Sequence, residues 1–91
     1  MILIVDEKLL DLVADRAVCP HELRYEFGNY LLKLFDIRGD FLSICKEDDT
    51  IVLFINLETE DGCTIRGIGL SYDKIIKKAK HKTCKLQIVM N

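Results

Sequence analysis

Residues 41–70, FLSICKEDDTIVLFINLETEDGCTIRGIGL, decide the fold because the apolar pattern changes here from a helical to an extended period. Three runs rich in β-branched and aromatic residues cover 41–46, 50–57 and 63–70, and short acidic turns separate them. Turns of this length between such runs are typical of antiparallel hairpins. The stretch therefore predicts three antiparallel strands in the second half of the chain.

The apolar alternation changes phase inside the third of these runs. Ile65 falls on one face of an extended strand, whereas Ile68 and Leu70 fall on the other. Gly67 stands at the change, and a glycine at such a position is typical of a β-bulge. We therefore expect a bulge at Gly67.

Two helices are predicted before these strands. Residues 2–5, ILIV, favour a short buried strand, and Asp6 can then cap a helix over 7–17. That helix should stop near Cys19, because the residue before a proline is disfavoured in the α region. Pro20 then suits the first turn of a second helix. Gly39 is predicted to end that helix. Its apolar stripe consists of Leu23, Phe27, Tyr30, Leu31 and Leu34.

A third helix and a last strand complete the pattern. The helix is predicted over 72–82, with Ser71 or Asp73 as its cap. Its core-facing stripe is Tyr72, Ile75, Ile76 and Ala79. Residues 84–90, CKLQIVM, favour a final strand.

The resulting element order is β-α-α-β-β-β-α-β, which is typical of the α+β class. We expect one domain over residues 1–91, with three helices on a mostly antiparallel sheet of four to five strands. A chain of 91 residues, 49% hydrophobic and 31% charged, has the composition of an ordinary globular domain with a single core.

The N-terminus and the cysteines favour an intracellular protein. The apolar run MILIV stops at Asp6, which makes it too short for the hydrophobic region of a secretory signal or for a membrane span. The four cysteines are spread along the chain with no CxxC pair, so we expect reduced thiols. These features predict a cytoplasmic protein without structural disulfides.

Cysteine and histidine occur close together at two places, Cys19 with His21 and His81 with Cys84. Their spacings are irregular for a zinc site, and no local signature pairs a thiol nucleophile with a base. The stretch GIGLSY, residues 67–72, lacks the third glycine and the lysine of a phosphate-binding loop. We therefore predict no metal, no cofactor and no enzymatic activity.

The end of the chain is basic. All fifteen acidic residues lie at or before Asp73, and residues 74–91 contain six lysines and no acid. On a helix these lysines spread over a wide arc without arginine or asparagine to read base edges, which is typical of a solvated face. The strand order also brings them towards the acidic turn at 58–61. The alternative is a nucleic-acid-binding segment, whose residues would be Lys74, Lys77, Lys78, Lys80, Lys82 and Lys85.

The run TIVLFINL, residues 50–57, is apolar on both sides of the strand that it predicts. A strand with one wet face alternates apolar and polar residues, so this run predicts cover on both faces. The sequence leaves two explanations open. Either the helix over 7–17 covers the second face as ordinary core, or that face receives a partner.

The leading interpretation is a small, non-enzymatic protein-interaction module of the regulator or inhibitor type. Regulators and inhibitors carried by mobile elements are often of this size, so such an origin is suggested by analogy. The partner would be another protein or a second copy of the chain. The residues predicted to bind it are Val52, Phe54, Asn56 and Val89. If the second face is such a surface, the substitution Phe54→Ser leaves the protein folded and abolishes association.

Overall fold

The structure, a computed structural model, describes residues 4–81. In chain order they form helix α1 (Glu7–Ala14), helix α2 (His21–Leu34), strand β1 (Asp40–Glu47), strand β2 (Thr50–Thr59), strand β3 (Gly62–Ser71) and helix α3 (Tyr72–His81). The strands lie in the order β1-β2-β3, and both neighbouring pairs are antiparallel. The predicted single α+β domain, with three helices and an antiparallel sheet, is confirmed.

The sheet is smaller than predicted. Within the described range it has three strands rather than four to five, and the element order is α-α-β-β-β-α. Ile4 and Val5 belong to no strand. Val5 packs against the core instead, and the next residue, Asp6, is already the cap of α1. The remainder of the predicted first strand and the whole of the predicted strand 84–90 lie outside the described residues.

Helix α1 begins where the sequence predicted and ends early. The Asp6 side chain accepts a hydrogen bond from the Leu9 amide at 2.9 Å, so the predicted cap is confirmed. The helix ends at Ala14 instead of continuing to residue 17, because Asp15 has an extended backbone. The Asp15 carboxylate accepts a bond from the Ala17 amide at 3.0 Å, a local turn that competes with helix.

Helix α2 ends without a glycine. Its last turn is closed by the Asp36 amide on the Lys33 carbonyl and by the Ile37 amide on the Leu32 carbonyl, the pattern of a Schellman motif. The left-handed residue that this motif needs is Asp36, with φ of 52°. The prediction that Gly39 ends the helix is therefore wrong. With φ of 129°, Gly39 instead lies where a Cβ would come within 3.0 Å of the Asn56 carbonyl oxygen.

All five predicted apolar residues of α2 are buried, and its interior glycine has a packing role. A Cβ at Gly28 would overlap the ring of Phe41 on β1. The glycine therefore allows an aromatic side chain of the sheet to approach the helix backbone closely. Its cost in helix propensity is offset by that contact.

The bulge lies in a different strand from the one predicted. Strand β3 pairs with β2 in continuous register from Gly62 to Ser71, so the predicted bulge at Gly67 is wrong. The register shift is in β1, between Phe41 and Ser43. Because β3 is regular, the change in its apolar pattern means that Ile65 points away from the core.

One face of the sheet, called here the core face, carries all the buried strand residues of the described chain. They are Ile44, Ile51, Leu53, Ile55 and Leu70. Helices α1 and α2 pack against β1, and α3 packs against β3. Ile75 of α3 is fully buried among them, and Ser71 caps that helix by accepting a bond from the Lys74 amide at 3.2 Å.

A polar cluster joins α1, β1 and α3 at the edge of the core. The Tyr72 hydroxyl donates to Asp11 Oδ1 at 2.7 Å, and Lys46 Nζ donates to the same oxygen at 3.0 Å. These bonds, that of Tyr72 first, lower the pKa of the Asp11 carboxyl, and the bond to Asp11 raises the pKa of Lys46. Burial, together with the bond to Asp11, raises the pKa of Tyr72 to about 12. The two hydrogen bonds to Asp11 thus join α1, β1 and α3.

Candidate interaction surface

The face of the sheet opposite the helices, called here the outer face, holds the three described residues that were predicted to bind a partner. Val52, Phe54 and Asn56 alternate along β2 with the buried residues of the core face, and all three are half-buried. Val89, the fourth predicted residue, lies outside the described range. Within residues 4–81 no helix packs on the outer face: its β3 residues are exposed from one end of the strand to the other.

Small residues on both neighbouring strands leave Phe54 prominent. Register places it opposite Ser43 on β1 and Gly67 on β3. A Cβ at Gly67 would lie 3.2 Å from Phe54 Cε1, so the phenyl ring lies across the glycine. This contact accounts for the partial burial of the ring without any covering helix.

Val52 has a similar setting one step along the strand. Its register partners are Cys45 and Gly69, and both are exposed. Neither partner has a side chain long enough to cover the valine. Val52 and Phe54 therefore form an apolar strip on the central strand, bordered by small residues.

Ile65 extends this strip onto β3 and was missed as a site residue. It lies opposite Asn56 and is 69% exposed, among the most exposed large hydrophobic side chains of the described chain. The signal for it was present in the sequence, because Ile65 is out of phase with Ile68 and Leu70. A bulge was predicted from that mismatch, whereas the mismatch marks an apolar residue on the outer face.

The rim of the outer face is acidic. Asp40 and Glu47 of β1 and Glu58 of β2 lie on this face, as their register partners show. The basic residues of the three strands, Lys46 and Arg66, both lie on the core face. The described outer face therefore combines an apolar centre with negative charge and no positive charge.

The lysines of α3 lie in the helical layer, on the other side of the sheet. Lys74 Nζ and Lys78 Nζ stand 5.9 Å and 5.2 Å from the centre of the Phe35 ring, distances typical of cation–π contacts. Lys77 and Lys80 are exposed. Lys82 and Lys85 of the predicted basic segment lie outside the described residues, so four of its six lysines have a described position.

The expected approach of these lysines to the acidic turn gives no ion pair. Among residues 4–81 the ion pair within 4.0 Å joins Lys46 to Asp11, and no lysine of α3 pairs with an acid of the turn at 58–61. Apart from the pair Lys46–Asp11, the opposite charges of the described chain therefore lie on separate surfaces rather than in ion pairs.

Cys19 has the environment of a structural thiol. It is buried, and its sulfur donates to the Pro20 carbonyl at 3.5 Å. Burial raises the pKa of the thiol, which disfavours the thiolate that a nucleophile or a metal ligand needs. In the part of the chain that the structure describes, no three His, Cys, Asp or Glu residues come together as a metal site would require.

Comparison with known proteins gives no relative. No protein-family model, curated protein or solved structure matches this chain. Across residues 4–81, none of the helices combines the length and apolar character needed to cross a bilayer.

Proposed function

We propose that this chain is a non-enzymatic protein-interaction module and that the outer face is its binding surface. The observation that supports this proposal is the strip formed by Val52, Phe54 and Ile65, which is apolar and has no helix over it within residues 4–81. An apolar centre with a polar rim is the usual composition of a protein–protein interface.

The charge of the rim defines the partner's chemistry. Asp40, Glu47 and Glu58 surround the strip, so a complementary protein has an apolar centre bordered by lysine or arginine. A symmetric dimer through this face would bring the same carboxylates together, which opposes association. The proposed partner is therefore a different protein with a basic rim, and the role we propose for this chain is to regulate or inhibit that partner.

Binding of nucleic acid is less well supported. The outer face repels phosphate, and two of the described lysines of α3 lie over the Phe35 ring. The lysines also lack a described arginine or asparagine beside them on α3 that would read base edges.

The test is affinity capture from extract of the source cells, with and without nuclease treatment, followed by binding measurements with the purified partner. Phe54→Ser and Ile65→Ser should each abolish binding while the protein stays folded by circular dichroism. Glu58→Lys should weaken binding, and the weakening should diminish at high salt because screening reduces the contribution of charge. The matched control is the double variant Lys77→Glu with Lys78→Glu, which should bind normally.

Two outcomes would contradict the proposal. If the control variant loses binding and the captured material is nucleic acid, the lysines of α3 form the functional surface. If the wild type sediments as a dimer that Phe54→Ser dissociates, the outer face binds a second copy and the basic partner is wrong.

A further inference from the structure

A pocket beside β1 has a cationic and apolar lining, and of that lining only Ser43 also borders the outer face. It has a volume of about 380 Å³ and lies between the start of α2, the segment before it and the first half of β1. Its lining residues are Arg16, Cys19, His21, Arg24, Phe41, Leu42 and Ser43. Two arginines line it, and in the described chain no carboxylate does.

Arg24 is the unusual member of this lining, because it is a buried cation without a carboxylate. Its side chain is 7% exposed. One Nη donates to the Val13 carbonyl at 2.6 Å, and the other donates to the Ile44 carbonyl. A guanidinium has five N–H donors, and these two bonds account for two of them. No described acid lies within ion-pair distance of Arg24, and a buried charge without a counter-charge favours an anion nearby.

The groups around Arg24 support the same charge preference. Arg16 is exposed and lines the pocket, the His21 ring can donate from a nitrogen, and Ser43 provides a hydroxyl. Because burial raises the pKa of Cys19, this neighbouring thiol stays neutral and does not compete with an anion. Asp15, which also acts on that thiol, lies outside the lining.

The other wall is apolar. The register shift of β1 adds one residue, Leu42, between Phe41 and Ser43. Leu42 is 47% exposed, and Phe41 is half-buried beside it. An inorganic anion would leave these two side chains unused, whereas an anion with a hydrocarbon part would cover them.

We propose that this pocket binds a small organic carboxylate. Its charged end lies on Arg24 and Arg16, and its hydrocarbon part lies on Phe41 and Leu42. Arginine suits this ligand because the planar fork of its N–H groups matches the two oxygens of a carboxylate. The proposal is independent of the outer face, since the pocket is bordered by the helical layer and the β1 edge.

The experiment titrates the folded protein with three probes and follows binding by calorimetry and by amide chemical shifts. Benzoate carries charge and ring, benzamide has the same shape without the charge, and inorganic phosphate has charge without the ring. Benzoate should bind saturably with shifts clustered at Leu42, Ser43 and the start of α2, and more tightly than either of the others. Benzoate binding that is absent, or matched by benzamide or by phosphate, would overturn the proposal.

Two exposed arginines provide a matched pair of variants. Arg16→Gln should weaken benzoate by about tenfold, as expected for the loss of a hydrogen bond to a charged group. Arg66→Gln removes the same charge from β3, outside the pocket lining, and should bind like the wild type. Equal weakening of benzoate binding by both variants would overturn the assigned site. It would show that benzoate responds to the overall charge of the protein rather than to Arg16.

Leu42→Gln tests the apolar wall without emptying a buried position, since Leu42 is already exposed. It should weaken benzoate and leave the weak binding of phosphate unchanged. Unchanged benzoate binding would overturn the assignment of the hydrocarbon part to this wall.

Discussion

The middle of the central strand is apolar on both faces, but the two faces have opposite environments. On the core face Ile51, Leu53 and Ile55 are buried under helices, whereas on the outer face Val52 and Phe54 remain half-buried with no described helix above them. The residue types at these five positions alone do not distinguish the two faces. The difference comes from the neighbouring strands, which supply Ile44 and Leu70 to one face and mainly small or polar residues to the other.

The largest test of this comparison is the pair Leu53→Ala and Phe54→Ala. Leu53→Ala should lower the free energy of unfolding by about 2–5 kcal/mol, since it empties a fully buried site. Phe54→Ala should cost clearly less, although it removes more atoms, because its ring already contacts solvent. Urea denaturation of both variants measures the difference. An equal or greater loss for Phe54→Ala would mean that the outer face is covered core.

A second test compares two glycines that each lie against a phenyl ring. Gly28→Ala should destabilise the protein by roughly 1–3 kcal/mol, because its Cβ overlaps Phe41 between helix and sheet. Gly67→Ala should change stability by no more than about 0.5 kcal/mol, because the Phe54 ring can move outward to make room. Thermal denaturation of the two variants is the measurement. A large loss of stability in Gly67→Ala would show that a group covering the outer face holds the Phe54 ring in place.

A smaller effect than that of Gly28→Ala is expected at the polar edge of the core face, where Tyr72→Phe removes the bond to Asp11. The pKa of Tyr72 rises from 10.0 to about 12 on folding, so the unfolded chain releases this proton first. Stability should therefore fall as pH rises from 10.0 towards 12.

Denaturant midpoints at neutral pH and near the tyrosine pKa measure that fall. The fall in stability with rising pH should be smaller in Tyr72→Phe. The part of that fall due to Lys46 should remain, because the pKa of Lys46 is also raised on folding. Tyr25→Phe is the control, since the Tyr25 hydroxyl makes no described hydrogen bond, and it should behave as the wild type does. An identical pH dependence in all three proteins would refute the role assigned to the Tyr72 hydroxyl.

The sequence predicted elements well where one local pattern determines them. The apolar stripes of the helices and the strands β1, β2 and β3 follow from apolar periodicity, and the Asp6 cap follows from a single side chain. The helix ends that were predicted wrongly depend on backbone conformations that several residue types can adopt. Asp15 ended α1 through its own carboxylate, and Asp36 took the left-handed position expected of Gly39.

The candidate surface was predicted in part for a related reason. Apolarity on both sides of β2 identified Val52 and Phe54, whose position depends on alternation alone. Ile65 was missed because the face of a β3 residue depends on register, and no pattern in the residues shows whether β3 is bulged or regular. The pocket at Arg24 depends on contacts across α1, α2 and β1, which no local pattern encodes. The partner class, the cytoplasmic location and the lack of enzymatic activity stay predictions.

The cluster at Asp11 affects how the chain folds while it is being synthesised. Its carboxylate accepts a bond from a hydroxyl 61 residues later, so a ribosome releases α1 long before the group that α1 needs. The two β-hairpins close over short distances and can form while synthesis continues. Helix α1 gains the bond from Tyr72 only when α3 emerges from the exit tunnel. Ribosome-bound chains from which β3 has emerged but Tyr72 has not should therefore hold a sheet with α1 less protected from proteolysis than it is in the finished protein.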